Sequence, residues 1–351
     1  MLDYIVVGLG LAGISVCDTL ERNGKTFHVV SDASQQASQV AGGLYNPVIL
    51  KRFTMAWKAG GLMEAVRPFY QQQEEKLGVT LDHPLRVLRR FASIEEQNTW
   101  FEAADRPGLE RFLSTKILPN QNPALDAPFG FGEVMHTGRI DTALLIKAYR
   151  AYLEQNDLLT FENFDFGALH LLEQHVSYKG IEAKRIVFAC GFGLKQNPYF
   201  NYLPLNGTKG ELLIIKAPDF KEESVIKSSV FTIPWGEDLY LVGATYKWKD
   251  KTNTPTEESK NELLDKLSTF LKCDFEVVDH VAGIRPTVSD RRPLVGQHPK
   301  HQNLYVLNGF GSRGVLIAPY ASQQLFSFIE DGQALDPEID IQRFTKKHFR
   351  N

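Results

Sequence analysis

A short apolar run, Tyr4-Ile5-Val6-Val7, leads directly into Gly8-Leu9-Gly10-Leu11-Ala12-Gly13 and then into a helical pattern with Val16, Cys17 and Leu20 on one face. Strand, glycine turn and helix in that order are the opening of a parallel βαβ unit, whose first strand must be buried on both faces. Gly24 supplies the helix stop, and a second strand, Thr26-Phe27-His28-Val29-Val30, ends at Ser31-Asp32. Each glycine has a physical task. Gly8 makes the tight turn, Gly10 lets a pyrophosphate approach bare backbone, and Gly13 lets helix and strand pack closely. The helix start, with Leu11 and Ala12 in its first turn, faces the anion. The plain alternative is a tight βα turn with no ligand, and the strand–helix context speaks against it. An acid roughly 20 residues beyond the first glycine would hold the ribose hydroxyls. Ser31 stands at that place and Asp32 one later; either serves chemically. A 2′-phosphate would favour an arginine there, and none is present.

Further along, helical patterns run through about 60–77, 94–104 and 142–155. The stretch 105–135 turns to Pro, Gly and Asn and reads as loops or a crossing between domains. Arg185-Ile186-Val187-Phe188-Ala189 reads as a strand, and 211–216, 228–234 and 239–246 alternate as antiparallel strands do. Thr254-Pro255-Thr256-Glu257 reads as a helix start capped by Thr254. Leu304-Tyr305-Val306-Leu307 is a strand followed by Gly309-Phe310-Gly311-Ser312-Arg313-Gly314 and a helix opening at Val315. Too little chain follows for a second dinucleotide domain. This second glycine loop is therefore either structural or a helix N-terminus aimed at the same ligand.

The expected fold is α/β, a Rossmann-like nucleotide domain interwoven with a smaller α+β substrate domain built on an antiparallel sheet. Formal net charge is −3, which advertises no general grip on nucleic acid. The three cysteines, Cys17, Cys190 and Cys273, form no CxxC, so zinc and a disulfide framework are poor readings. No apolar run reaches the eighteen or so residues of a membrane span. Asp3 stands where a secretory signal would carry a basic residue. A cytoplasmic protein without metal is expected. His298 and His301 read as a polar surface turn, and Lys51-Arg52 with Trp57-Lys58 as a solvated face beside a buried tryptophan.

In this order and spacing, several stretches together resemble the flavin-dependent amine oxidase family of D-amino acid, glycine and sarcosine oxidases. They are Tyr4–Gly13, Ala41-Gly42-Gly43-Leu44-Tyr45-Asn46-Pro47, Ala189-Cys190-Gly191, Val242-Gly243-Ala244-Thr245, Gly283-Ile284-Arg285-Pro286 and Gly309–Gly314. Within the family the likeness is nearest to the FAD oxidase module of bifunctional tRNA wobble-uridine modification proteins. The resemblance implies bound FAD, held by a domain assembled from 1–80, 133–205 and 281–351, with 81–132 and 206–280 forming the substrate domain. It places Ala41, Gly42, Gly43 and Leu44 along the isoalloxazine ring, Phe164 at adenine through its backbone, and Ala189 and Gly191 beside the cofactor. Gly309, Gly311, Ser312, Arg313, Gly314 and Val315 would meet the flavin's pyrimidine edge, where positive charge favours reduction.

Arg285 stands where the family holds the substrate carboxylate, and Tyr246 would face the substrate. Departures are Lys209-Gly210-Glu211 in place of Arg-Gly-Gln, and no cysteine after Arg285-Pro286, so FAD should be non-covalent. The activity implied is hydride transfer from the carbon of an amine C–N bond to flavin N5, with glycine, an N-substituted glycine or a D-amino acid as substrate. Oxygen or another acceptor would then take the electrons. Two rivals stand beside this reading. One is an oxidase acting on a carboxymethylaminomethyl group of a tRNA wobble uridine, with tRNA as partner. The other is a flavin-binding subunit without turnover.

Overall fold

The computed structural model describes residues 1–348; the last three residues of the expected 281–351 segment lie outside the described residues. The opening forms as expected: strand Leu2–Val7, helix Leu11–Arg22 and strand Phe27–Ser31. Leu2–Val7 pairs in parallel with Phe27–Ser31 on one side and with Ile181–Phe188 on the other. Ile181–Phe188 pairs in parallel with Leu304–Asn308, and Leu159–Phe161 extends the sheet beyond Phe27–Ser31. Alternation along the central strand decides the layers. Tyr4 and Val6 join the core under helices Leu11–Arg22, Ala59–Leu77, Thr142–Gln155 and Gly314–Glu330. Ile5 and Val7 join the opposite core with Phe188, Val306 and the ribbon Leu169–Leu171/Val176–Tyr178.

A second, eight-stranded sheet is mostly antiparallel, with one parallel pairing of Val225–Lys227 on Val87–Arg90. It contains Thr208–Lys216, Phe231–Gly236, Leu239–Gly243 and Glu276–Arg285. It also recruits Leu113–Leu118 and Phe131–Val134, from a region whose composition suggested loops. These strands are specified by distant pairing and not by local pattern. Gly132, for instance, sits in a strand because a Cβ there would come within 2.6 Å of both Phe91 and Trp100. One face of this sheet packs on helix Glu257–Ser268 through Leu213, Ile215, Val242 and Leu263. The other face carries Leu212, Leu241, Ile233 and Val225.

The helix after Thr254 starts two residues later than its sequence suggests. Thr256, not Thr254, is the cap and accepts from the Ser259 N–H, because the Thr254 carbonyl is taken by the ammonium of Lys209. The turn at 298–301 is exposed at Pro299 and Lys300, but His298 itself is buried at 6% exposure; its Nδ1 accepts from the Lys300 and His301 backbone N–H groups at 3.1 and 3.2 Å. Among the described residues no group of three possible metal ligands converges, and no helix is long and apolar enough to cross a membrane. Trp57 donates to Glu338 at 2.9 Å and Lys58 pairs with Asp336, which ties that basic segment to the protein itself.

Candidate functional site

The parallel strands Leu2–Val7, Phe27–Ser31, Ile181–Phe188 and Leu304–Asn308 all end at one edge of their sheet. Their C-terminal loops are Gly8–Gly13, Asp32 onward, Ala189–Gly193 and Gly309–Gly314, which the fold therefore gathers around one crevice. Asn308, which the sequence did not single out, joins two of them. Its amide donates to the Gly191 carbonyl at 3.0 Å, and its own side-chain oxygen accepts from the Gly309 N–H at 2.7 Å. Gln35 closes a third side by accepting from the Gly193 N–H at 3.2 Å.

Two kinds of glycine separate here. Some are required by the protein's own packing: a Cβ on Gly13 would lie 1.9 Å from the Gly8 carbonyl oxygen, and one on Gly43 would lie 1.9 Å from that of Ile140. Gly42 would meet the Ile233 side chain at 2.7 Å. Others border open space. A Cβ on Gly10 meets nothing nearer than Ser38 Oγ at 3.4 Å, and one on Gly311 has no atom within 4 Å. Helices Leu11–Arg22 and Gly314–Glu330 start behind these open glycines, and neither has a side-chain cap or an acid in its first turn. Ser93, Asp141 and Thr256, in contrast, cap their helices with side-chain oxygens. The bare N–H groups at both crevice helices suit the phosphates and ring edge of a dinucleotide. The donor set thus fits the expected cofactor. Leu11, Ala12, Val315 and Ala189 bury their side chains in the core, so only their backbones can take part.

At the end of Phe27–Ser31, Ser31 is 9% exposed and turns its hydroxyl to the Asp32 carbonyl at 3.3 Å. Asp32 is more open. Burial pushes its carboxyl up, but hydrogen bonds from Ser34 and Asn163 outweigh that and hold it below its usual range. Phe164 stacks on Tyr178 at 4.3 Å and is buried, two residues after Glu162, whose N–H donates to the Ser31 carbonyl at 3.0 Å.

On the sheet face toward Gly42, Arg285 lies with its guanidinium carbon 4.5 Å from the Tyr246 ring centre and donates to the Thr245 carbonyl at 3.2 Å. Gly210 makes room for it: a Cβ there would sit 2.0 Å from Nη2. This explains the alternation in Lys209-Gly210-Glu211. Gly210 faces Arg285, while the neighbours turn to the far side, where Lys209 (0% exposed) bonds Asp250 at 2.6 Å and Glu211 accepts from Thr256 N–H at 2.7 Å.

Arg313 donates to the Asn46 carbonyl at 2.9 Å, and the Pro286 carbonyl accepts from Gly311, so the two arginine loops are joined. Burial lowers the pKa of both guanidiniums; Tyr246 acts to raise both, and no acid among the described residues contributes. The structure therefore brings Arg285, Tyr246 and Arg313 together, with Tyr246 59% exposed and Ser312 exposed on the loop. Sequence reasoning missed Asn308 and Gln35, which sit in no pattern that a single chain advertises, and it quoted Asn46 only within the Ala41–Pro47 stretch without its bond to Arg313.

Residues 3–326 match the model of the family described as FAD dependent oxidoreductase. A glycine oxidase of Pseudomonas aeruginosa is 25% identical over 96% of this chain and 96% of its own. The tRNA 5-methylaminomethyl-2-thiouridine biosynthesis bifunctional protein MnmC of Burkholderia mallei is 23% identical over 99% of this chain, which spans 60% of that protein. The crystal structure of glycine oxidase from Geobacillus kaustophilus superposes with a TM-score of 0.76 at 18% identity, covering 98% of this chain and 97% of that one.

Proposed function

We propose, from the premise that the chain belongs to the FAD-dependent oxidoreductase family and acts on amine donors, that its substrate is a small amine carrying a carboxylate: an amino acid or an N-substituted glycine. The observation that carries this reading is Arg285, a desolvated guanidinium with no acid acting on it among the described residues. A planar fork in that state is suited to bidentate capture of a carboxylate. Tyr246 stacks on it and would shape the pocket, and Thr245 fixes its orientation through the carbonyl. FAD, when bound, supplies the acceptor for the hydride that leaves the carbon beside nitrogen. The protein's share is orientation, since among the described residues no His–Asp dyad stands at the arginine cluster. Gly8, Gly10, Gly13, Gly191 and Gly309–Gly314 would hold the cofactor, with Asp32 at the ribose. Arg313 and the uncapped helix behind it would place positive charge at the far end. The three free cysteines support a cytoplasmic setting. FAD should be released on acid denaturation, because Arg285-Pro286 is followed by no cysteine.

Anaerobic flavin reduction, screened over glycine, sarcosine, D-amino acids and proline, tests the reading. Bleaching by carboxylate-bearing amines, and peroxide release in air, are expected. A flavin that no amine reduces would show a binding subunit instead. Gly210→Ala should displace the Arg285 head and lower kcat/KM by about 10- to 100-fold with FAD content unchanged. An unchanged rate would place the carboxylate elsewhere. A second reading has its own observation: Tyr246 and Trp248, two positions apart, are 59% and 50% exposed and offer aromatic surface that a base could stack on. On that reading the amine is a side arm of a tRNA uridine. Filter binding with tRNA at two salt concentrations decides it, since phosphate contacts weaken steeply with salt.

A further inference from the structure

Lys227 ends the short strand Val225–Lys227 and pairs with Phe231, which pairs with Gly243, which pairs with Leu212. Directly paired residues share a face, and residues two apart on a strand do so as well. Lys227, Phe231, Gly243, Leu212, Gly210 and Arg285 therefore lie on one face of the sheet. Gly42 lies against that face, where its Cβ would come 3.9 Å from the Phe231 ring. The Lys227 ammonium sits 4.1 Å from the centre of the same ring.

Its electrostatic surroundings are unusual. Arg89, the cation on the neighbouring strand, is paired with Glu96 at 2.6 Å and donates to the backbone carbonyls of Lys227 and Ser228 at 3.4 and 3.2 Å. From the glycine loop, the Arg313 charge acts on Lys227 itself. Burial first, and Arg313 second, push its amine down to about 7, and no acid among the described residues opposes them. Arg285 and Arg313 lack an acid in the same way. Lys227 and Arg285 on the sheet face, and Arg313 on the loop whose charge reaches Lys227, thus stand without an acid acting on them among the described residues. A desolvated charge in that state is costly until an anion arrives.

We infer that Lys227, with Arg313, receives a second anionic group of the substrate, so that the amine oxidised here is a dicarboxylate: an acidic amino acid or an N-carboxyalkyl glycine. This rests on the reading that Arg285 takes the first carboxylate. A monocarboxylic amine would leave Lys227 facing the Phe231 ring alone, whereas a second carboxylate gives it a partner and keeps it protonated. Discrimination then comes from the unsatisfied cation as much as from the satisfied one.

The test uses the FAD-loaded full chain and two readouts. Titration calorimetry compares succinate with propionate, and anaerobic stopped-flow compares iminodiacetate with sarcosine and D-aspartate with D-alanine. The parent should favour the dicarboxylate by about 10-fold or more in each pair. Lys227→Met and Lys227→Gln should collapse that ratio toward one, with the loss of dicarboxylate capture in KM and not in kcat. Lys227→Arg should restore part of it. A parent without dicarboxylate preference, or a ratio that survives in Lys227→Met and Lys227→Gln, overturns the assignment. Reduction by monocarboxylic amines alone would overturn it while leaving amine oxidation standing. If no amine of either class reduces the flavin, the amine reading falls, and succinate selectivity lost in the Lys227 variants still decides whether the anion site exists.

Discussion

Arg285→Ala is expected to lower kcat/KM for a carboxylate-bearing amine by about 30- to 1000-fold while FAD content stays near that of the parent. The magnitude follows from losing one partner of a charge-assisted pair in a water-poor site, roughly 2–4 kcal/mol. The guanidinium touches Tyr246 and the Thr245 carbonyl but no acid acts on it among the described residues, so its removal breaks no internal ion pair. Arg285→Lys should recover only part of the loss, because an ammonium cannot reproduce the planar fork. Stopped-flow flavin reduction, beside the absorbance ratio that reports flavin loading, separates the cases. A variant that unfolds or loses its flavin would make the arginine structural. One that keeps its flavin and its rate with every substrate would move the carboxylate elsewhere.

Gly10→Val is expected to give a folded, colourless protein. The reason lies in the difference between neighbouring glycines. At Gly10 the backbone is extended, φ −89° and ψ −168°, which valine adopts freely. A Cβ there meets only Ser38 Oγ, at 3.4 Å, so the chain itself tolerates it. What the side chain fills is the open space before the uncapped helix, where a pyrophosphate must reach bare N–H groups. Gly13→Ala is the contrasting control, because its Cβ would fall 1.9 Å from the Gly8 carbonyl oxygen and force helix and strand apart. Circular dichroism melts with flavin absorbance distinguish the two. Gly10→Val should keep its secondary structure and lose FAD; Gly13→Ala should lose both. A yellow Gly10→Val protein with full FAD loading would place the cofactor away from this turn.

The elements that local rules govern were legible in the chain. The apolar run before Gly8, the period of the first helix and the stop at Gly24 together specify a βαβ opening, since each depends on residues within a few positions. The helix Thr142–Gln155 was readable for the same reason. The start of Glu257–Ser268 was readable only to within two residues, because a buried lysine far back in the chain claims the Thr254 carbonyl. The strands Leu113–Leu118 and Phe131–Val134 were not readable at all; their stability comes from partners across the sheet and from the rings of Phe91 and Trp100.

The candidate site divides the same way. Glycine spacing identifies the turns, because a missing Cβ is a property of the residue itself. Which glycines face open space, which arginine lacks an acid, and that Lys227 lies on the face of Arg285 depend on pairing between segments tens of residues apart. Strand register assigns a side chain to one face or the other, and a slip of one residue would reverse it. That register is set by the packed sheet as a whole, so the charge pattern of the crevice belongs to the tertiary structure, while the turn that opens it belongs to the sequence.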